Sequence, residues 1–435
     1  MTLLPASGTS SDQPAVTGPL VARTVPIPTS LARDLLAVIP QAAADQVVSW
    51  VRRGEGFVGW GEVASTTTHG PDRFTEAEAW WQDLVSTATV HNEVGVPGTG
   101  PVAMGSFSYS PESAAGATLT VPEVVVGRRG EVAWVTTLGL GSAPETPQLT
   151  AGAPEQPIGI RFADGARSSP EWATVVRSAI ERINAGPLDK VVLARDLEVA
   201  ADSPIDVRWL LARLAERYDN TWVFSVDGLV GATPELLVRL DKGLVLSRVL
   251  AGTIRRTGDD EHDLALAASL ARSSKDLEEH EYAVRSVADA LRPHCYSMNV
   301  PEAPFVLHLT NVMHLATDVA GVLGDRTTSL TLAASLHPSA AVCGTPTDTA
   351  DATIAQIEGM DRARYAGPVG WMDASGDGEW GIALRCGAVQ DDPTRMRLFA
   401  GCGIVAGSDP EAEVAESDAK FIPMRDALTA PPIRD

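Results

Sequence analysis

Apolar residues recur at helical spacing in PEWATVVRSAIERINAG, where Trp172, Val175, Val176, Ile180 and Ile183 fall on one stripe. A stripe of that period predicts an amphipathic helix, and Gly186 supplies its C-terminal stop. The same spacing predicts a helix around FTEAEAWWQDLVSTATV. It also predicts a long helical region over about His262 to Leu291, with His280, Val284, Val287 and Leu291 on one face. EAEVAESDAKFIPMRDAL reads as a final helix.

Between these helices the pattern is that of strands. FVGWGEVAS and TLTVPEVVVGRRGEVAWVTTL carry it in the first half, and LDKVVLARDLEVA, LVLSRVLAGTIRRTG and RLFAGCGIVAGSDP in the second. FSVDGLVGATPELLVRL reads as two strands joined by a Gly-Ala-Thr-Pro turn, and GPVGWMDASGDGEWGIALRCGAV as a hairpin through Gly-Asp-Gly. The Pro/Gly/Ala-rich stretch from Ser142 to Pro154 divides the chain. The sequence thus predicts a flexible tail over residues 1–25, a β-rich part over 26–150 and a second region over 155–431. Strands and helices without regular βαβ alternation predict an α+β architecture rather than a doubly wound or barrel fold.

Apolar residues make up 44% of the chain and charged residues 21%, the composition of an ordinary folded globular protein. The formal net charge of -22 argues against a nucleic acid or an anionic membrane surface as main partner. A small anionic ligand would need a local basic or metal-bearing pocket. No apolar run reaches the length of a membrane span and no basic start precedes an apolar stretch, so a cytoplasmic protein is expected. Cys295, Cys343, Cys386 and Cys402 lack CxxC spacing and read as buried free thiols.

Several residues are candidates for chemistry. Glu413 and Glu416 are three apart and share one helix face. With Glu279 in SSKDLEEHEYAV they would place carboxylates from two helices around one pocket, a set of hard oxygens suited to Mg2+; solvated helix faces are the alternative. Lys190 opens an otherwise apolar strand and either marks a sheet edge or works in a site. Glu235 follows Pro234 in a strand-linking turn, where a carboxylate is aimed either into a cleft or into water. Arg385 stands among small and apolar residues in GIALRCGA, predicted as strand, and needs a carboxylate partner from the protein or from a ligand. Gly401, Cys402 and Gly403, like Gly252 and Thr253, offer backbone amides that an anion can approach. His314 and His337 read first as core histidines.

Together the segments LAGTIRR, SSKDLEEH, NVMHLATDVAG, SLHPSAAVCGTP, YAGPVGWMDASGDGEWGIALRC and LFAGCGIVAGSDPEAEVAESDAK resemble the chorismate-utilising family. This family includes anthranilate synthase component I and the aminodeoxychorismate, salicylate and isochorismate synthases. The likeness covers about Ile160 to Ala430. It implies a single large domain in which two antiparallel sheets stack between flanking helices, and a monomer. It also implies that Glu279 and Glu416 ligate Mg2+, with Glu413 acting through a water, and that the metal holds the ring carboxylate of chorismate. Arg385, the amides of Gly401 to Gly403 and Lys420 would take the enolpyruvyl carboxylate. Gly252 and Thr253 would lie beside the ring carboxylate, while His314 and Tyr365 complete the pocket.

Within the family, a lysine in a segment like LDKVVLARD marks the branch that adds water. Lys190 would then activate water and Glu235 would protonate the hydroxyl that leaves, so a neutral amine and a protonated carboxyl must coexist. That pairing points to isochorismate formation, for menaquinone or siderophore synthesis. Salicylate synthase, which goes on to eliminate pyruvate, is the near alternative, and a catalytically silent chorismate-binding protein the distant one. Thr233, Cys343 and Val414 depart from the family's usual residues without removing a proposed ligand, and the small Ala341 and Val342 favour release of isochorismate.

Overall fold

The computed structural model describes residues 18–150, 152–308 and 312–431; the side chains of Thr253, Lys275 and Glu279 lie outside the described set. Strands dominate it. Among the described residues thirteen form one sheet and ten a second, and the pairings are antiparallel except that Leu20–Ile27 runs parallel to Thr89–Asn92. The two-sheet α+β architecture expected from the sequence is thus present.

Each sheet takes strands from both sides of the Ser142–Pro154 stretch. In the larger, Val47–Arg52 pairs with Trp222–Val226; in the smaller, Val102–Phe107 pairs with Pro368–Asp373. Burying the apolar faces of both sheets against each other produces one continuous core that includes Trp50, Phe57, Trp134, Phe224, Trp371 and Trp380. Glu379 of the smaller sheet is buried there. Its Oε2 accepts from the indole nitrogens of Trp50 (2.9 Å) and Trp222 (3.2 Å), and Oε1 lies 2.9 Å from Arg239 Nε.

The structure corrects three expectations. Residues 20–25, assigned to the tail, belong to the strand Leu20–Ile27, whose alternation buries Leu20, Ala22 and Thr24; residues 1–17 of that tail lie outside the described set. The long helical region is two helices, Asp260–Leu270 and Ser274–Leu291, because the Ser273 hydroxyl accepts from Asp276 N–H and starts a new helix. The expected stripe survives in the second helix, with His280, Val284, Val287 and Leu291 all buried. Arg385 is not in a strand: it occupies the turn between Gly378–Ile382 and Cys386–Val389, with φ +48°.

That turn is one of two adjacent chain crossings. The chain leaves the larger sheet after Leu229–Thr233 and enters the smaller at Leu236–Asp241, and it returns between Ile382 and Cys386. The crossings are bonded to each other. Ile382 N–H donates to the Glu235 carbonyl at 3.1 Å, Ala232 N–H to the Arg385 carbonyl at 3.2 Å, and the Thr233 hydroxyl to the Ile382 carbonyl at 2.6 Å. Glu235 and Arg385 are therefore carried on neighbouring turns between the two sheets.

Candidate active site

The strand Lys190–Ala200 is interior, which excludes the sheet-edge reading of Lys190. One side pairs along its whole length with Arg395–Val405, aligning Val192 with Gly403, Leu193 with Cys402 and Ala194 with Gly401. On the other side Lys190 and Val191 pair with Thr345 and Gly344, and residues 197–200 with 161–164. Side chains fill the gap between those short strands. Ala194 N–H donates to Glu358 Oε2 at 2.7 Å, and Arg362 donates to the carbonyls of Val192 (2.7 Å) and Val342 (2.9 Å). Glu358 and Arg362 are themselves ion-paired at 2.6 Å and almost wholly buried. Neither was singled out from sequence; the signal was an i,i+4 acid–base pair just ahead of YAGP.

Because Gly401 and Gly403 are two apart in a strand they face the same side, and functional groups occupy the space their missing side chains leave. A Cβ on Gly403 would lie 2.8 Å from Lys190 Cε and 3.5 Å from its Nζ; one on Gly401 would lie 3.0 Å from the Tyr365 hydroxyl. The Tyr365 ring stacks on Phe399 with centroids 5.3 Å apart, and burial pushes its hydroxyl well above the usual phenol range. Lys190 and Tyr365 thus lie against two glycines on the same face of one strand.

Glu235 sits within the fields of Lys190 and Arg385. Burial raises its carboxyl to about 7, against the opposing pull of those two cations. Thr233 steadies this turn, since its hydroxyl also accepts from Glu235 N–H at 3.3 Å. Among the described residues the Arg385 guanidinium has no hydrogen bond or ion pair, so its donors remain available to a ligand.

His314 lies across the smaller sheet, where its backbone pairs with Thr253 past a bulge at Gly252. Gly252 has φ +74°, a conformation that favours glycine, and a Cβ there would crowd Asp276 Cβ at 3.2 Å and Leu315 Cδ1 at 3.3 Å, so the glycine eases the close approach of the helix Ser274–Leu291 to the strand. Burial lowers His314 to about 4, with the charges of Arg385 and Lys420 adding and a hydrogen bond to the Gly252 backbone opposing. The imidazole is neutral at neutral pH. His337 is the core histidine expected, bonded through Nε2 to the Tyr109 carbonyl at 2.8 Å.

The helix Pro410–Thr429 brings the acidic candidates to the same place. Asp409 caps it by accepting from Ala412 N–H at 2.9 Å. Ligand atoms of Glu413, Glu416 and Cys402 all lie within 4.8 Å of one another. Glu413 Oε2 is buried without a hydrogen-bond partner among the described residues. Burial raises the Glu413 carboxyl, Ser408 opposes this, and the charge of Glu416 adds to it. Glu416 is itself lowered: burial works against ionisation but is outweighed by Lys420, with Arg255 and Arg385 assisting. Lys420 Nζ lies 2.7 Å from Glu416 Oε1 and donates to the Gly401 carbonyl at 2.7 Å. The lysine expected to meet substrate therefore bridges the acidic pair and the glycine strand. Glu279 is on the helix Ser274–Leu291, but its side chain, like that of Thr253, lies outside the described residues.

A cavity of about 720 Å³ elsewhere is bounded in part by Asp241, Asp325, Asp373 and Asp377 and contains none of these residues. Its acidic lining makes it a poor host for an anion, whereas Lys190, Arg385 and Lys420 concentrate positive charge at the glycine strand.

The family model described as "Chorismate binding enzyme" matches residues 16–429. This chain belongs to the chorismate-binding enzyme family. It is 41% identical over 270 residues to the isochorismate synthase DhbC of Bacillus subtilis, covering 59% of this chain and 67% of that protein. The solved structure of MenF, the menaquinone-specific isochorismate synthase from Escherichia coli, superposes with a TM-score of 0.76 at 25% identity, over 95% of this chain and 96% of that one. Anthranilate synthase component I from Streptococcus pneumoniae shares the fold, with a TM-score of 0.68 at 20% identity over 88% of this chain and 93% of its own. The strand-bearing lysine, the crossing turns and the C-terminal acidic helix of this family member thus come together at one place. Among its described residues no helix is long and apolar enough to cross a membrane.

Proposed function

We infer that this protein is an isochorismate synthase, an isomerase that converts chorismate to isochorismate by adding water at C2 with loss of the C4 hydroxyl. Its likeness to DhbC and MenF supports the reaction. The observation that carries the mechanism is the placing of Glu235, with its carboxyl raised to about 7, in the fields of Lys190 and Arg385. Near neutral pH such a carboxyl holds a proton to donate, and the neighbouring Lys190 takes one only in its neutral amine form, which this reading requires of it during turnover.

In this reading Lys190 removes a proton from water as its oxygen bonds to C2. The ring double bonds shift, the C4–O bond breaks, and Glu235 gives its proton to the departing hydroxyl, which leaves as water. Solvent then restores both groups. Arg385 takes the enolpyruvyl carboxylate with the amides of Gly401 to Gly403; Lys420, His314 and Tyr365 line the pocket, and Gly252 and Thr253 flank the ring carboxylate.

The residues present suit Mg2+. Among the described residues Glu413 Oε2 is a buried oxygen without a partner, beside Glu416, and hard carboxylate oxygens are what this ion prefers. Glu416 and Glu413, with Glu279 of the helix Ser274–Leu291, would hold it. Bound there, the metal supplies positive charge that fixes and neutralises the ring carboxylate. We place the enzyme in the cytoplasm as a monomer, in keeping with its strong negative charge.

Incubation with chorismate and Mg2+, with an EDTA control and products identified by chromatography and mass, tests the reading. Isochorismate alone, lost with EDTA and in Lys190→Ala or Glu235→Gln, is the expected result. Salicylate with pyruvate would assign the protein to the sister reaction, and unchanged chorismate would overturn the enzymatic reading.

A further inference from the structure

Cys402 stands between the two glycines and faces the opposite way, toward the helix Pro410–Thr429. It is fully buried, and its Sγ lies within 4.8 Å of an oxygen of Glu413 and of Glu416. Among the described residues the thiol's hydrogen bond is a 3.5 Å contact to the Glu413 carbonyl; a thiol is a weak donor, so little holds it there. In the same cluster Glu413 Oε2 is buried and unpartnered among the described residues.

We propose that Cys402 is a sulfur ligand of the Glu413–Glu416 centre and makes it a binding site for thiophilic divalent cations such as Zn2+ and Co2+, which displace Mg2+. The proposal rests on the reading of those two glutamates as metal ligands. Mg2+ takes oxygen ligands and gains nothing from sulfur, whereas a thiolate selects for softer ions. Thiophilic ions are therefore inhibitors of this enzyme that act at its own metal centre, with an affinity set by Cys402.

The metal-free protein is titrated with Co2+, following the near-ultraviolet thiolate-to-cobalt band while equilibrium dialysis counts bound ions. One bound Co2+ per chain with the band is expected. Cys402→Ser should remove the band and weaken Zn2+ binding on the order of 10–100-fold, the loss typical of even a supporting group at a metal site, while Mg2+ affinity moves less. Should that variant not fold, the wild-type protein gives a second measure: with one equivalent of Zn2+ bound, its zinc X-ray absorption spectrum should contain a sulfur scatterer at about 2.3 Å. Bound Co2+ without the band, a band that survives Cys402→Ser, or a zinc shell of oxygen and nitrogen alone would overturn thiol ligation and leave the carboxylate centre standing. No bound ion in the wild-type protein would overturn the centre itself.

Discussion

The Lys190 side chain lies in the space that Gly403 leaves open, its Cε 2.8 Å and its Nζ 3.5 Å from where a Cβ on that glycine would stand. Because the atoms in the way are the end of a flexible side chain, Gly403→Ala should cost little stability while moving the amine away from the ring. The expected result is a fall in kcat of about tenfold or more with a nearly unchanged melting temperature, since misplacing a reacting group by an ångström can cost about 100-fold. An unchanged kcat would separate Lys190 from catalysis.

Glu235 supplies a pH signature. Its folded carboxyl titrates at about 7 instead of 4.5, so the folded state binds more protons than the unfolded chain between those values. The stability it contributes is complete below the ordinary carboxylate range and is lost as pH rises through about 7, by at most about 3 kcal/mol. Glu235→Gln should therefore melt higher than wild type at pH 8 but not at pH 4, while losing activity by orders of magnitude. In the wild-type enzyme, kcat/KM should decline on the alkaline side of about 7 as the proton donor is lost.

Arg385 has no intramolecular partner to lose among the described residues, so its replacement reports on ligand binding. Arg385→Lys keeps the charge but not the planar fork that grips a carboxylate. KM for chorismate should rise about tenfold or more, with thermal stability within about 0.5 kcal/mol of wild type. A steady KM would remove Arg385 from the substrate.

The Glu358–Arg362 pair holds the open edge of the Lys190 strand through Ala194, Val192 and Val342. Glu358→Ala leaves a buried guanidinium uncompensated and strips Ala194 N–H of its acceptor. A destabilisation of about 3–5 kcal/mol is expected, read as a lower melting temperature, with activity falling at temperatures where the variant is still folded.

Local periodicity made much of this protein legible. The stripe through Trp172, Val175, Val176 and Ile183 is buried as its spacing requires, and Ser168 with Glu171 forms the capping box that starts that helix. The hairpin Pro368–Ile382 turns where Gly-Asp-Gly predicts. Glu413 and Glu416 share a helix face because three residues make nearly one turn. The break before Ser274 was legible too, in the capping serine, but the apolar stripe masked it.

What the chain's own spacing determined is therefore the set of elements and which side chains each displays, because helix and strand periods are short-range. Only the tertiary structure decided that Lys190 meets Gly403, that Glu235 and Arg385 ride on adjoining crossings, that Lys420 bridges Glu416 to Gly401, and that Glu358 and Arg362 complete a strand edge. Those relations join residues far apart in sequence through strand register and sheet-to-sheet packing. A one-residue slip in register would turn every side chain of a strand to the other face, and no local pattern records which partner strand sets it.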